Sequence, residues 1–209
     1  MYRRFGGLAA LTGAEFYRSL GFYGEDILPL MGHVMNFEHF INCIESPALR
    51  AVAAHWAAAR GTAQMPSWEQ LRPSQFAAQL FLVWAFKYDQ GTGQFTGRLA
   101  GNRIEQGFGK NFRGLPLQDL HPPQMFAKAH HHMARIVLEP AAHRSGGRLF
   151  KQGSRVVEGE RIMLPLASDG VHADGVLGAS DYYYPHPVPG PVELLCDIEN
   201  WFPVAVPPQ

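Results

Sequence analysis

The fold is decided by one stretch of the chain, LFLVWAFKYDQGTGQFTGRLAGNRI, at residues 80–104. Its first half is dense in the aromatic and β-branched residues that favour strands. Gly91 and Gly93 supply the positive φ that a tight hairpin turn requires. A second strand over 94–100 follows the turn, and one or two helical turns over 103–108 come next. The stretch therefore predicts a β-hairpin that leads into short helices.

Downstream of the hairpin, the residues His121-Pro122-Pro123 indicate the start of a long helix that runs to about Leu138. Proline fits the first turn of a helix, and Glu139-Pro140 ends this one. The apolar stripe of the helix contains Phe126, Ala129, Met133, Ile136 and Val137. Three strands are predicted after it, over 142–152, 155–167 and 175–184.

Upstream of the hairpin, Ser46-Pro47 predicts a helix that ends at Arg60-Gly61, because serine suits an N-cap and glycine a C-cap. Short helices are also expected near 14–20 and 74–79. After a proline-rich linker, we expect a small helix over 192–202.

This order of elements predicts an α+β fold with about five antiparallel strands in one sheet. The short helices and the long helix would cover one face of the sheet, and further helices would precede the sheet at the N-terminus. So few helices can bury only one face of the sheet. A cup of this kind can hold a small ligand.

Composition and charge exclude several classes of function. The chain of 209 residues has 18 Lys+Arg and 18 Asp+Glu, so its formal net charge is zero. A general nucleic-acid binder needs a basic surface, and so does a protein drawn to anionic membranes. No apolar run approaches the roughly 20 residues of a membrane helix. Cys43 and Cys196 form no CxxC pair, so we expect reduced thiols in a cytoplasmic protein, with a long-range disulfide as the alternative.

Several motifs resemble the PAS domain family, in particular its PAS-like branch of mainly alphaproteobacterial single-domain proteins, formerly of unknown function. They are FTGRLAGNRI at 95–104, GFG at 107–109, RGLPLQDL at 113–120, RIMLPL at 161–166 and LGA at 177–179. The resemblance implies three parts, namely an N-terminal extension (1–45), a sensory domain with its leading helix (46–184) and a proline-led tail (185–209).

The resemblance implies a sensory or regulatory module of bacterial signal transduction that binds a small ligand in an apolar cavity. No kinase, cyclase or helix-turn-helix segment is recognisable, so we expect the output to pass through protein–protein contact. The alternatives are a ligand-free structural interaction protein, a haem-binding sensor and an enzyme. We expect no enzyme, because the GxSxG, HExxH and GxxxxGK[ST] motifs are absent. The identity of any ligand or cofactor is not encoded in a readable motif.

The candidate cavity residues are mainly large apolar side chains. At strand and helix spacing such residues are ordinarily core, so a continuously packed interior is the alternative to a cavity. The apolar candidates are Trp84, Phe95, Phe108, Phe112, Phe126, Met133, Met163 and Tyr182.

Two arginines are candidates for binding an anionic ligand. Strand alternation places Arg98 on the face opposite Phe95, and Arg103 follows at the mouth of the short helices. The alternative, which we favour, is a salt bridge from each arginine to Glu105, Asp119 or Asp181.

Three adjacent histidines lie on the long helix, and their side chains point about 100° apart, so they cannot converge on one metal ion. With Phe126 and Met133 taken as the inward face, His130 faces inward, and His131 and His132 face away. The resemblance makes His130 a candidate axial haem ligand. The alternative is a histidine at the core edge, bonded to a backbone carbonyl.

The helix at 47–60, which carries Trp56, is the candidate element for a homodimer, because helices that precede a PAS core commonly pack on a neighbour. The alternative is that it packs over the sheet of its own chain.

Overall fold

The computed structural model describes residues 37–182 and 192–204. Residues 37–43 are helical. The further elements are α1 (Pro47–Arg60), a 3-10 segment (Pro73–Leu82), β1 (Val83–Asp89), β2 (Gln94–Ala100), α2 (Asn102–Phe108), α3 (Leu117–Leu120), α4 (Pro123–Leu138), β3 (Ala141–Gln152), β4 (Arg155–Leu166), β5 (Gly175–Tyr182), β6 (Val192–Leu194) and β7 (Ile198–Pro203). The helix expected near 14–20 lies outside the described residues.

The strands form one antiparallel sheet in the order β2-β1-β5-β4-β3-β6, and β7 also pairs with β3. This confirms the α+β fold. The described residues contain seven strands rather than about five, because the predicted helix over 192–202 is wrong. That stretch forms β6 and β7, which pair with two successive parts of the long strand β3. Cys196, between them, has a positive φ of 56°.

Helix α1 is capped as the sequence predicts. The Ser46 hydroxyl accepts a hydrogen bond from the backbone N–H of Leu49, Pro47 opens the helix, and Gly61 ends it. Its buried face packs against β4 and β5, and Trp56 Nε1 donates to the carbonyl oxygen of Pro165 at 2.8 Å. The side of α1 that carries Trp56 is therefore packed over the sheet of its own chain, which is the alternative given for this helix.

Helices α2, α3 and α4 cover the other face of the sheet. The strands between these two helical layers are buried at consecutive positions, as in β5, where only Asp181 is partly exposed. Our expectation that one face alone would be buried is thus wrong, because α1 and the 3-10 segment cover the second face. Among the described residues, no helix is long and apolar enough to cross a membrane.

Candidate functional site

A cavity of about 640 Å³ lies between the sheet and helices α2 to α4. Sites for small organic ligands typically have volumes of about 300–1,000 Å³. Most of the wall is apolar and comes from both layers, with the aromatic rings of Trp84, Phe86, Phe108 and Phe112 and the thioethers of Met133 and Met163. The interior is therefore not packed continuously at this place.

A row of polar residues crosses the sheet beside this apolar wall. Ser145 on β3 pairs with Glu199 on β7 and with Arg161 on β4, and Arg161 in turn pairs with Ser180 on β5. Residues directly opposite one another in a ladder project to the same side of the sheet. Three members of the row, Ser145, Arg161 and Ser180, line the cavity.

Arg161 contributes hydrogen-bond donors to the cavity without an acidic partner. Its Nε donates to Ser180 Oγ at 3.2 Å, and Trp84 Nε1 donates to the same oxygen at 3.0 Å. No carboxylate lies within 4 Å of the Arg161 guanidinium in the part of the chain that the structure describes. The buried Ser145 hydroxyl also has no hydrogen-bond partner among the described residues. The polar side of the cavity is thus rich in donors.

Three histidines also line the cavity, and their surroundings keep them neutral. Burial, followed by the charge of Arg161, lowers the pKa of His121 to about 4. Burial lowers the pKa of His143 to about 3, and the positive charges of Arg161 and Arg135 act in the same direction. Burial also lowers the pKa of His132, although Glu199 acts in the opposite direction. These side chains therefore add hydrogen-bonding capacity without adding charge.

Cys196 lies at the same end of the cavity as an unpaired thiol. Burial raises the pKa of this thiol, and the positive charge of Arg161 opposes the shift. A raised pKa keeps the thiol protonated at neutral pH, so Cys196 is not an activated nucleophile.

His132, His143 and Glu199 meet at the edge of the cavity. Each offers one atom that could hold a metal ion, and these atoms all lie within 4.8 Å of one another. His132 Nε2 and Glu199 Oε1 lie 3.6 Å apart. Within residues 37–182 and 192–204, neither ring nitrogen of His143 has a hydrogen-bond partner, although the residue is only 1% exposed.

The structure brings six of the predicted site residues together in the cavity wall, namely Trp84, Phe108, Phe112, Met133, Met163 and Tyr182. It places the other five outside the wall, namely Phe95, Arg98, Arg103, Phe126 and His130.

The two predicted arginines lie in surface ion pairs. The guanidinium of Arg98 stacks 4.5 Å from the ring centre of Trp68 and lies 3.4 Å from Glu69, a partner that the sequence did not suggest. Arg103 pairs with Asp181 at 3.4 Å, which is one of the partners expected for it. The salt-bridge interpretation therefore fits both residues.

His130 contacts the hairpin instead of the cavity. Its Nε2 lies 2.9 Å from the carbonyl oxygen of Gly93, and its ring packs between Phe95 and Phe126. This is the alternative given for His130, and it does not fit an axial haem ligand in the cavity.

The prediction that His132 points away from the cavity is wrong. The stripe of α4 that lines the cavity is Met125, Ala129, His132 and Met133, spaced i, i+4, i+7 and i+8. The prediction took Phe126 rather than Met125 as an inward-facing residue, so its inward face was displaced by one residue along the helix. The same spacing, begun at Met125, would have identified His132.

The structure is an α+β domain in which an antiparallel sheet and the helices α2 to α4 enclose a ligand-sized cavity. A family model described as PAS domain matches residues 44–180, about two thirds of the chain. The chain therefore belongs to the PAS domain family, whose members are modules of the sensory or signalling type. No curated protein and no solved structure matches the chain.

Proposed function

We propose that this protein is a sensory module of bacterial signal transduction that binds a small organic anion in the cavity and acts through contact with a partner protein. The observation that carries the proposal is the cavity-lining guanidinium of Arg161, which has no carboxylate partner among the described residues. A charged group in a partly buried site is costly unless an opposite charge joins it. An anionic ligand would supply that charge.

The chemistry of the wall indicates the class of ligand. Guanidinium groups bind carboxylates and phosphates through two parallel N–H donors. Ser180 Oγ already accepts two hydrogen bonds, so its own O–H can donate into the cavity beside the Ser145 hydroxyl. The remaining wall is mostly aromatic and aliphatic. These features favour a molecule with an apolar body and one acidic group.

Strand β4 connects the cavity to α1, so it can pass a ligand-induced shift to a surface that contacts a partner. Glu160 precedes Arg161 and faces the other side of the sheet, because side chains alternate along a strand. The Glu160 carboxylate accepts hydrogen bonds from the backbone N–H groups of Glu45 and Ser46, at the N-terminus of α1. A ligand that shifts β4 would thus move α1, whose outer surface is the contact we assign to a partner.

A ligand that binds the folded protein and not the unfolded chain stabilises the fold by mass action, and it shifts α1 only if it binds one conformation better than the other. The test is a thermal-shift screen of small organic acids, together with native mass spectrometry of the freshly purified protein. We expect an acid that raises the melting temperature of the wild type and not that of Arg161→Gln.

Arg98→Gln is the matched control, because Arg98 is also a strand arginine but lies outside the cavity. It should respond to the acid as the wild type does. The proposal fails if no acid stabilises the wild type and no ligand is retained, which would favour a ligand-free interaction protein. It also fails if Arg161→Gln is stabilised as strongly as Arg98→Gln.

A further inference from the structure

We infer that His132, His143 and Glu199 form a binding site for a divalent transition-metal ion, best suited to Zn²⁺, at the edge of the cavity. The site goes beyond the proposed binding of an organic anion, because it uses different residues and a different class of ligand.

The three residues come from separate elements that the fold holds together. His132 lies on α4, His143 on β3 and Glu199 on β7, which pairs with β3. Ligand atoms around a tetrahedral Zn²⁺ are separated by roughly 3.3 Å, given bonds of about 2.0–2.2 Å. The Glu199 and His132 atoms already lie 3.6 Å apart, and the whole set lies within 4.8 Å. Small side-chain rotations would close the remaining distance.

The unpaired state of His143 is an independent observation that points to a ligand. A buried polar group without a hydrogen bond costs free energy, so nearly all such groups in folded proteins have a partner. His143 is 1% exposed, and both its ring nitrogens lack a partner in the part of the chain that the structure describes.

The neighbouring ring of Trp201 holds the two imidazoles in place. Its ring centre lies 4.2 Å from that of His143 and 5.9 Å from that of His132. An apolar wall of this kind excludes water from one side of a metal site and restricts the orientation of its ligands. The opposite side opens on the cavity, because both histidines line it.

The donor set selects the kind of ion. Two imidazoles and one carboxylate suit Zn²⁺ and other first-row transition metals, whereas Ca²⁺ and Mg²⁺ prefer oxygen ligands throughout. Three protein ligands leave a fourth tetrahedral position open, here toward the cavity. The positive charge of Arg161, which also lines the cavity, opposes a dication, and the Glu199 carboxylate offsets it.

The experiment uses the full chain, freed of metal by dialysis against a chelator. Zn²⁺ is then titrated by calorimetry, and Co²⁺ is added as a probe whose visible absorption reports tetrahedral coordination. We expect one ion per chain, and the ion should raise the melting temperature. His143→Leu keeps the packing volume but removes a ligand, so the affinity should fall by more than the roughly 10–100-fold caused by loss of an outer-sphere partner.

Glu199→Gln is the second variant, because Glu199 is partly exposed and its replacement should leave the fold intact. It should also weaken Zn²⁺ binding strongly. His131→Ala is the matched control, since His131 is an exposed histidine next to His132 on the same helix, and it should bind Zn²⁺ like the wild type. The inference is overturned if the wild type binds no stoichiometric Zn²⁺, or if Glu199→Gln binds as tightly as His131→Ala.

Discussion

Ser180 and Asp181 are consecutive residues of β5 that face opposite sides of the sheet. The Ser180 hydroxyl accepts hydrogen bonds from Arg161 and Trp84 in the cavity wall. The Asp181 carboxylate accepts a hydrogen bond from the hydroxyl of Ser46, the N-cap of α1, at 2.7 Å. One strand thus joins the cavity to the helix that covers the other side.

The neighbouring strand β4 shows the same alternation at Glu160 and Arg161, which pair with Asp181 and Ser180. Arg161 faces the cavity, and Glu160 binds the backbone of Glu45 and Ser46. The guanidinium of Arg144 on β3 bonds to the Glu160 carboxylate and to Glu45. The N-terminus of α1 is therefore bonded to charged groups on the three strands β3, β4 and β5, and its position depends on where those strands lie.

The first prediction concerns this connection. An organic acid bound at Arg161 should slow hydrogen exchange at the amides of Glu45 and Ser46, because these amides donate to the Glu160 carboxylate on the same strand. Hydrogen-exchange mass spectrometry with and without the acid measures the effect. The peptide containing Gly91, at the hairpin tip, is the internal control and should not change. Slower exchange in the cavity helices alone would contradict transmission to α1.

The second prediction concerns the double role of Ser46. Its hydroxyl accepts from the N–H of Leu49 and donates to Asp181. Ser46→Ala should therefore lower the free energy of unfolding by about 2 kcal/mol, since it removes a helix cap and a bond to a charged group.

Ser67→Ala is the matched control, because the Ser67 hydroxyl accepts a single hydrogen bond in an exposed turn. It should cost less than about 0.5 kcal/mol. Denaturant unfolding of both variants measures the difference, and equal losses would show that the link between α1 and β5 adds no stability.

Much of the fold could be predicted because its signals are local. The Ser46-Pro47 cap, the hairpin glycines and the prolines before α4 each act within a few residues, and the elements they predicted are present. The two strands over 192–203 could not be predicted in this way. They are three and six residues long, and their partner is the edge of β3, about fifty residues upstream.

The candidate site was predicted only in its apolar part. Arg98 and Arg161 both lie on strands and each is followed by an apolar residue, so the local pattern does not show which of them lines a cavity. Which one lines the cavity depends on which face of each strand the helices α2 to α4 cover, and that is a property of the assembled sheet. The polar row from Glu199 to Ser180 likewise exists only once four strands are in register.

The third prediction concerns stability at acidic pH. His121 faces Arg161 and packs against the ring of Phe108, and its pKa in the folded protein is about 4. The unfolded chain has the ordinary histidine value of about 6.5, so it binds more protons below that pH. The free energy of unfolding should therefore decrease as the pH falls from about 6.5 to about 4.

Between pH 7 and pH 5 the His121 contribution should amount to about 1–2 kcal/mol. Denaturant unfolding of His121→Gln should show a pH dependence that is smaller by this amount. The exposed His131 provides the control, and His131→Gln should keep the wild-type dependence. If His121→Gln and His131→Gln lose stability equally on acidification, His121 is not held neutral by its surroundings.

The last prediction concerns the close contact between Gly178 and Trp84. These residues pair across β1 and β5, and the Trp84 ring lies directly over Gly178. A Cβ atom at position 178 would lie 2.2 Å from Cε2 and Cζ2 of that ring. Gly178→Ala should therefore push the ring into the cavity, break its hydrogen bond to Ser180 and cost about 1–3 kcal/mol, as overpacking typically does. It should also abolish stabilisation by organic acids, because the displaced ring occupies their site.

Replacing Trp84 separates this clash from other effects of the alanine. In a Trp84→Leu background, Gly178→Ala should cost much less than in the wild type, because the smaller side chain leaves room for the new methyl group. Denaturant unfolding of the two single variants and the double variant gives the coupling energy between the positions. Additive losses would mean that the Trp84 ring does not lie over Gly178 in solution and does not form this part of the cavity wall.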